Sequence, residues 1–426
     1  MIRRFSLYGF LKNQRYFEDW WLLAFLAKGI SYTEWGFLIG FRELMVNVME
    51  IPSGAIADLF GRRKSMILSF VAYIISFVIF GAAQGLPLLF LGMAFFGVGD
   101  AFRTGTHKAM IFTWLRNEGR ADEKTRVYGY TRSWSKLGSA LCVLIAGAFV
   151  FTTGMFEYTF YFAVVPYLLS LVNFFGYPKA LEGEIRGRKE VSLREIAVHL
   201  GESLRDAFRK ADLRRLVFES MGFEGIYKAA KDYLQPILMS AAALWLGSMV
   251  VTEDLSTPQK TALVATPVFF VLYLLAAAAS RNAHRLVDEP GEEDRSARKL
   301  WGLDLLAFAA IIPATLLGLH PLMILGFMTL TVMQNLWRPV LISRFDAHAH
   351  HAKKATLLSI ESQAKSVSTM ILAPILGFSI DLVKSRGVCM DGGEFWPIGV
   401  LGTLIALVFF LTAGRTHTSD APDASD

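Results

Sequence analysis

Charge is scarce in this chain. Asp, Glu, Lys and Arg make up 19% of its 426 residues, against roughly a quarter in an ordinary soluble domain, and the mean hydropathy is +0.41. That shortage excludes a water-soluble globular protein. Cysteine is almost missing: Cys142 and Cys389 are the two, too few for a disulfide framework. One falls in an apolar stretch and the other in a polar connection, so no bridge is expected. Catalytic signatures are also missing. There is no Gly-x-Ser-x-Gly, no His-Glu-x-x-His and no Cys-x-x-Cys, so nothing points to nucleophilic or zinc chemistry, and neither an enzyme nor a cofactor is expected. His348, His350 and His351 share one polar segment. No Cys or carboxylate cluster accompanies them, so a solvated loop is expected rather than a metal site. A cleavable leader is not expected either, because the apolar run 5–11 stops at Lys12.

Apolar residues are abundant: 54% of the chain is hydrophobic, with 34 Phe and 9 Trp. A membrane span takes about 20 residues at roughly 1.5 Å each. Twelve such stretches are expected, at 5–28, 31–54, 65–84, 87–114, 126–152, 157–177, 213–240, 259–281, 299–319, 321–345, 354–381 and 395–413. With the N-terminus inside, the inner segments carry 28 Lys and Arg and the outer ones 4. That asymmetry places both termini in the cytoplasm of a plasma membrane, a bacterial inner membrane being the expected one. It also explains the net charge of +6 without nucleic acid. The chain divides into a bundle at 1–180, a linker at 181–212, a second bundle at 213–413 and a polar tail at 414–426 expected to be disordered. Within the linker, Ser192-Leu193-Arg194-Glu195 reads as a capping box opening an amphipathic helix on the inner membrane face. The two bundles repeat one another. Lys136 to Phe149 aligns with Lys365 to Phe378 without a gap, and Asp100–Arg103 with Asn335–Arg338.

Between the second and third stretches stands GAIADLFGRRK, residues 54–64. Gly54 and Gly61 permit close helix contact and a sharp turn, Asp58 is a lone carboxylate between them, and Arg62 and Arg63 follow at once. The segment resembles the signature loop of the major facilitator superfamily, Gly-x-x-x-Asp-x-x-Gly-Arg-(Arg/Lys), and matches it at all five positions. The resemblance implies an all-α membrane protein of twelve transmembrane helices in two pseudo-symmetric six-helix bundles. It further implies that spans 1, 4, 7 and 10 line a central cavity, and that Gly54, Asp58, Gly61, Arg62 and Arg63 form a conformational gate. Ser280–Arg285 occupies the place of a degenerate second signature loop.

Ionisable side chains are costly in a bilayer, so each is a functional candidate. They gather in spans 1, 2, 4, 5, 7, 10 and 11, whereas spans 3 and 12 have none and spans 6 and 8 have them only at their ends, at Glu157, Lys260 and Arg281. Lys12/Arg15/Asp19, Glu43/Asn47/Glu50, Asp100/Arg103/His107 and Glu224/Lys228/Asp232/Gln235 recur every three or four residues, which places each set on one helix face. Lys12, Arg15, Arg42, Asn47, Arg103, Lys136, Lys228, Asp232, Arg338 and Lys365 are the expected cavity and solute contacts. Glu43, Asp100, His107, Glu224 and Glu361 are the candidates for proton coupling. Cations outnumber carboxylates toward the midplane, which suits a solute with an anionic group or a zwitterion. The expected function is secondary transport of a small polar solute by alternating access, proton-coupled, in a monomer within the lipid bilayer. The alternative is a multidrug/proton antiporter, although span 5 lacks the Gly-Pro pattern of that group. A sensor with a transporter fold is the remaining reading.

Overall fold

The computed structural model describes residues 1–182, 211–247, 249–283, 293–348, 354–387 and 391–412. The linker helix around Ser192, the tail 414–426, His350 and His351, Cys389, the end of the second signature loop and the side chains of Asp58 and His348 lie outside the described residues.

Helices account for all twelve expected spans. Span 2 is Tyr32–Phe60, span 3 Arg62–Ala82, span 5 Lys124–Thr153, span 6 Tyr158–Phe175 and span 8 Thr257–Asn282. Spans 9 to 12 are Glu293–Leu316, His320–His348, Lys354–Ser385 and Trp396–Thr412. Three spans depart from the expected continuous helix. Span 1 is split into Ile2–Leu11 and Trp21–Ala27, span 4 into Leu86–Arg103 and Thr106–Asn117, and span 7 into Ala211–Ala230 and Leu234–Leu246. Among the described residues, eight rods are long and apolar enough to cross a membrane on composition alone. Spans 1, 2, 7 and 10 fall short, because their polar side chains and breaks lower the hydropathy.

Local chemistry sets several ends. Ser31 and Glu34 form a reciprocal capping box that opens span 2, satisfying two free N–H groups. Gly61 ends that span at φ +92°, a conformation that side chains resist. Gln259 accepts from the Ser256 N–H at 2.9 Å where span 8 begins.

Each half has its own packing. In the N-terminal half Phe17, Phe25, Phe77, Phe80, Phe96 and Phe160 form one aromatic core. In the C-terminal half Phe223 stacks on Trp337 at 4.3 Å and Trp301 on Phe409 at 4.8 Å. Outward apolar residues such as Val165, Val172, Leu306 and Leu411 stay exposed, as lipid-facing positions must.

The halves meet along spans 2 and 11 and along spans 5 and 8. Small residues bring the backbones together. A Cβ on Gly36 would lie 2.4 Å from the Ala373 carbonyl oxygen, and one on Gly377 would lie 2.0 Å from that of Tyr32. Asp381 of span 11 then caps span 2, accepting from the Thr33 N–H at 2.7 Å and the Tyr32 N–H at 3.3 Å. At the same end Gln259 Nε2 donates to the Phe151 carbonyl at 2.9 Å.

Candidate functional site

Span 1 comes apart where its polar residues begin. Lys12, Arg15, Glu18 and Asp19 lie between its two helices, so they do not form the helix-face stripe expected from their spacing. Unwound backbone inside a membrane protein persists only where partners or a polar cavity satisfy it. Here the partners are visible. Tyr167 Oη donates to the Lys12 carbonyl at 3.0 Å. Asn13 Nδ2 donates to the Ser135 carbonyl at 2.6 Å, and Gln14 Nε2 to the Gly138 carbonyl at 2.8 Å. From the opposite half, Gln235 Nε2 donates to the Glu18 carbonyl at 3.2 Å while its Oε1 accepts from the Leu22 N–H at 3.0 Å. Gln235 itself follows the break in span 7, a short 3-10 turn at Lys231–Tyr233. The two broken spans are thus joined at their breaks.

Three adjoining cavities run along this join. The first, about 400 Å³, is lined by Glu18, Asp19, Lys136, Lys231, Asp232 and Tyr273 among others. The second, about 260 Å³, shares Glu18, Asp19, Ser139 and Tyr273 with it and adds Lys12, Arg15 and Arg103. The third, about 390 Å³, shares Lys12, Asn13 and Ser139 with the second and adds His107, Arg132 and Lys136. The string has a cationic stretch at Lys12, Arg15, Arg103, Arg132 and Lys136. Its other stretch holds Glu18, Asp19 and Asp232 around Lys231, whose Nζ lies 2.7 Å from Asp232.

The cationic stretch rests on one carboxylate. Arg15 Nη2 and Arg103 Nη2 each stand 3.2 Å from Asp100 Oδ1. Tyr73 Oη also donates to that oxygen. Arg15 Nε donates to Tyr167 Oη at 2.7 Å and Arg103 Nε to Tyr73 Oη at 3.0 Å. Two guanidinium groups thus share one negative charge. In the C-terminal half the numbers balance. Arg338 bridges Glu224 at 3.0 Å and Glu361 at 2.7 Å, while Lys365 bridges the same pair at 2.9 and 3.6 Å. Ser220 Oγ adds a bond to Glu361 at 2.5 Å.

Glu43 joins the halves. It is 2% exposed, with Arg42 at 2.5 Å on its own span and Lys228 at 3.0 Å across the join. Nearby Glu50 accepts from Ser359 Oγ at 2.8 Å.

The remaining expected residues are placed as follows. His107 is enclosed by aromatic rings, with Tyr8 at 3.9 Å and Phe5 at 5.5 Å between centroids, and its open side is the third cavity. Asn47 is half-buried, lines none of the three cavities and leaves its Oδ1 without a partner among the described residues. Among the described residues nothing lies within 4 Å of where a Cβ on Gly54 would stand. Gly61 does make the turn, with Glu182 packed where a Cβ would stand. Arg63 Nε donates to Glu182 Oε1 at 3.2 Å, and Arg62 Nη1 donates to Thr113 Oγ1 at 2.8 Å. Both cations therefore tie elements of the N-terminal half together.

Several site residues were not singled out from the sequence. Glu18 and Arg132 were visible there as intramembrane charge, but nothing in their spacing assigned them a role, and Asp19 was visible only as one member of the Lys12/Arg15/Asp19 stripe. Gln235 was visible only as one member of a helical stripe. Tyr73, Tyr167 and Tyr273 gave no signal in so aromatic a chain.

Known proteins resemble this arrangement. A sequence profile described as Major Facilitator Superfamily matches residues 19–373. The chain belongs to the major facilitator superfamily. It is 21% identical over 230 residues to an uncharacterized MFS-type transporter, YxaM, of Bacillus subtilis (strain 168). That match takes in 52% of this chain and 54% of the relative, so the chain spans about half the length of the curated relative it matches. Solved members share the fold at low identity. The nucleoside transporter NupG superposes with a TM-score of 0.77 at 10% identity, over 97% of this chain and 99% of its own. A D-xylose-proton symporter gives 0.68 at 15% identity, over 97% of each chain. A POT family transporter in complex with 5-aminolevulinic acid gives 0.68 at 16%, over 97% of this chain and 96% of its own. As a member of this family the protein is a multi-pass membrane transporter of a small solute, and not an enzyme.

Proposed function

We propose that the protein moves a small polar solute carrying an anionic group, most simply a zwitterion, by alternating access coupled to protons. The observation that carries this reading is the cavity string with Lys12, Arg15 and Arg103 at one stretch and Glu18, Asp19 and Asp232 at the other. An anionic group fits against the arginines, which present paired N–H donors. An ammonium group fits against the carboxylates. Lys136 and Asp232 complete the polar lining in this reading, whereas Lys228, Arg338 and Lys365, expected from the sequence as cavity contacts, line none of the three cavities and are held in ion pairs with Glu43, Glu224 and Glu361. Discontinuous spans at a midplane site are the usual build of secondary carriers.

The membrane is a bacterial inner membrane, with both termini cytoplasmic, as the Lys and Arg asymmetry supports. In that orientation the Asp381 cap on span 2 closes the outer face. Opening outward requires that contact and the Glu43–Lys228 pair to part. Gly61, Arg62 and Arg63, braced on Glu182 and Thr113, keep the N-terminal half rigid while it rocks, and with Gly54 and Asp58 form the inner gate. The protein works as a monomer.

The test is transport by purified protein in liposomes under an imposed proton gradient, reading lumenal pH as pools of organic anions, amino acids, sugars and cationic drugs are added. Proton movement with the anion or amino acid pool is expected. Movement with lipophilic cations alone would replace this reading with drug efflux.

A further inference from the structure

We infer that the third cavity takes a second anionic group of the solute, so that the substrate is an acidic zwitterion: an amino dicarboxylate or a phosphorylated amino acid. This rests on the zwitterion reading above and names its class. The reason is where the unpaired cations stand. The cations lining the three cavities are Lys12, Arg15, Arg103, Arg132, Lys136 and Lys231. Arg15 and Arg103 each stand 3.2 Å from Asp100, and Lys231 stands 2.7 Å from Asp232. Lys12, Arg132 and Lys136 have no ion pair among the described residues. All three line the third cavity. No Asp or Glu lines it among the described residues, whereas the other two cavities each hold Glu18 and Asp19.

Nothing else on its walls supplies the missing charge. Arg132 and Lys136 are one helical turn apart on span 5, where like charges repel. Both are exposed to the open cavity. Lys12 comes from the break in span 1, with its Nζ 5.7 Å from the centre of the Tyr8 ring, a contact that softens its charge without cancelling it. Water hydrates these cations while the cavity is open. When the halves close over it that water is lost, and a charge left bare inside the membrane is costly. An anionic group of the solute takes the place of the water. Arg132 offers it paired N–H donors, and Lys12 and Lys136 a point charge each. At about 390 Å³ the cavity has room for a carboxylate or a phosphate ester. It adjoins the second cavity at Lys12, Asn13 and Ser139, and the first at Lys136 and Ser139. One solute thus places its first anionic group on Arg15 and Arg103, its ammonium by Glu18 and Asp232, and its second anionic group on Arg132.

The experiment is thermal stabilisation of the purified full chain at constant ionic strength by two matched pairs, aspartate against asparagine and O-phosphoserine against serine. In the wild type the acid of at least one pair should act at roughly 10-fold lower concentration than its neutral partner, the worth of a hydrogen-bonded charge; which pair responds tells carboxylate from phosphate. Arg132→Gln should bring that ratio toward one. Lys136→Gln should do the same, and carries the test if Arg132→Gln fails to fold. Arg103→Gln should instead weaken acid and neutral partner alike, because it acts on the first anionic group. A ratio unmoved by Arg132→Gln and Lys136→Gln would overturn the inference. Equal stabilisation by both members of each pair in the wild type would also overturn it, while leaving the zwitterion reading standing. No stabilisation by any of the four would remove both.

Discussion

Lys136 and Lys365 occupy matching places in the two halves and meet opposite surroundings. Lys365 lies between Glu224 and Glu361. Lys136 is exposed to the cavities and has no ion pair among the described residues. The difference is set one helical turn earlier, where the C-terminal half has Glu361 and the N-terminal half has Arg132. Arg103 and Arg338 also match, yet Arg338 has two carboxylates while Arg103 shares Asp100 with Arg15. The same scaffold therefore holds a self-neutralising quartet on one side and excess positive charge on the other. Buried charges that satisfy one another have little left for a ligand, whereas excess charge on a cavity wall calls for an anion.

Breaking the balanced half should have the largest effect on the fold. Lys365→Met leaves Glu224 and Glu361 sharing Arg338, and should cost about 3 kcal/mol or more, seen as a lower melting temperature in detergent. Adding Glu361→Gln to that variant should recover most of the loss, and a double variant no better than the single would show that the quartet is not balanced by charge.

Arg103→Gln should do the reverse. Asp100 keeps Arg15 and Tyr73, so melting should barely move. Binding of the anionic solute should weaken roughly 10- to 100-fold, the worth of about 1.5–3 kcal/mol for hydrogen bonds to a charged group. A collapse of the fold here would erase the contrast between the halves.

Gln235→Leu sharpens the comparison at the join. It strips partners from the Leu22 N–H and the Glu18 carbonyl at once. Each orphan costs about 1–3 kcal/mol, unless cavity water replaces Gln235. Melting should fall by an amount comparable to that of Lys365→Met, and hydrogen exchange at Leu22 should quicken.

The smallest effect is expected from Asp381→Asn. It weakens an anionic cap on the span 2 N-terminus, a contact worth about 0.3–1 kcal/mol. Thiol labelling of a cysteine placed at Ala373, buried under the closed join, should rise a few-fold. Unchanged labelling would mean that the cap does not hold that end shut.

Much of the fold could be read in advance because lipid imposes a simple rule. Apolar runs of spanning length, the 28-to-4 asymmetry of cations and the loop around Gly61 together required two six-span halves. The breaks could not be read, because hydropathy registers length and polarity but not where a helix unwinds. Lys12 to Asp19 looks like a tolerable helical stripe until Tyr167 and Gln235 supply the carbonyl and N–H partners from distant parts of the chain. Charge pairing was equally hidden. Glu224 and Glu361 are 137 residues apart in sequence, and only packing shows that Arg338 and Lys365 are shared between them. That sharing removed two apparent free cations from the cavity and left Lys12, Arg15, Arg103, Arg132 and Lys136 to define its charge.

The most direct test of that cationic wall is ligand binding to wild type and to Arg103→Gln, read as thermal stabilisation by pools of organic anions, zwitterions and lipophilic cations. The wild type should be stabilised by a pool whose members carry a carboxylate or phosphate, and the variant should lose that response while keeping its unliganded melting temperature. Equal stabilisation of both proteins by the same pool, or a response to lipophilic cations alone, would contradict the assignment of the anionic group to the N-terminal half.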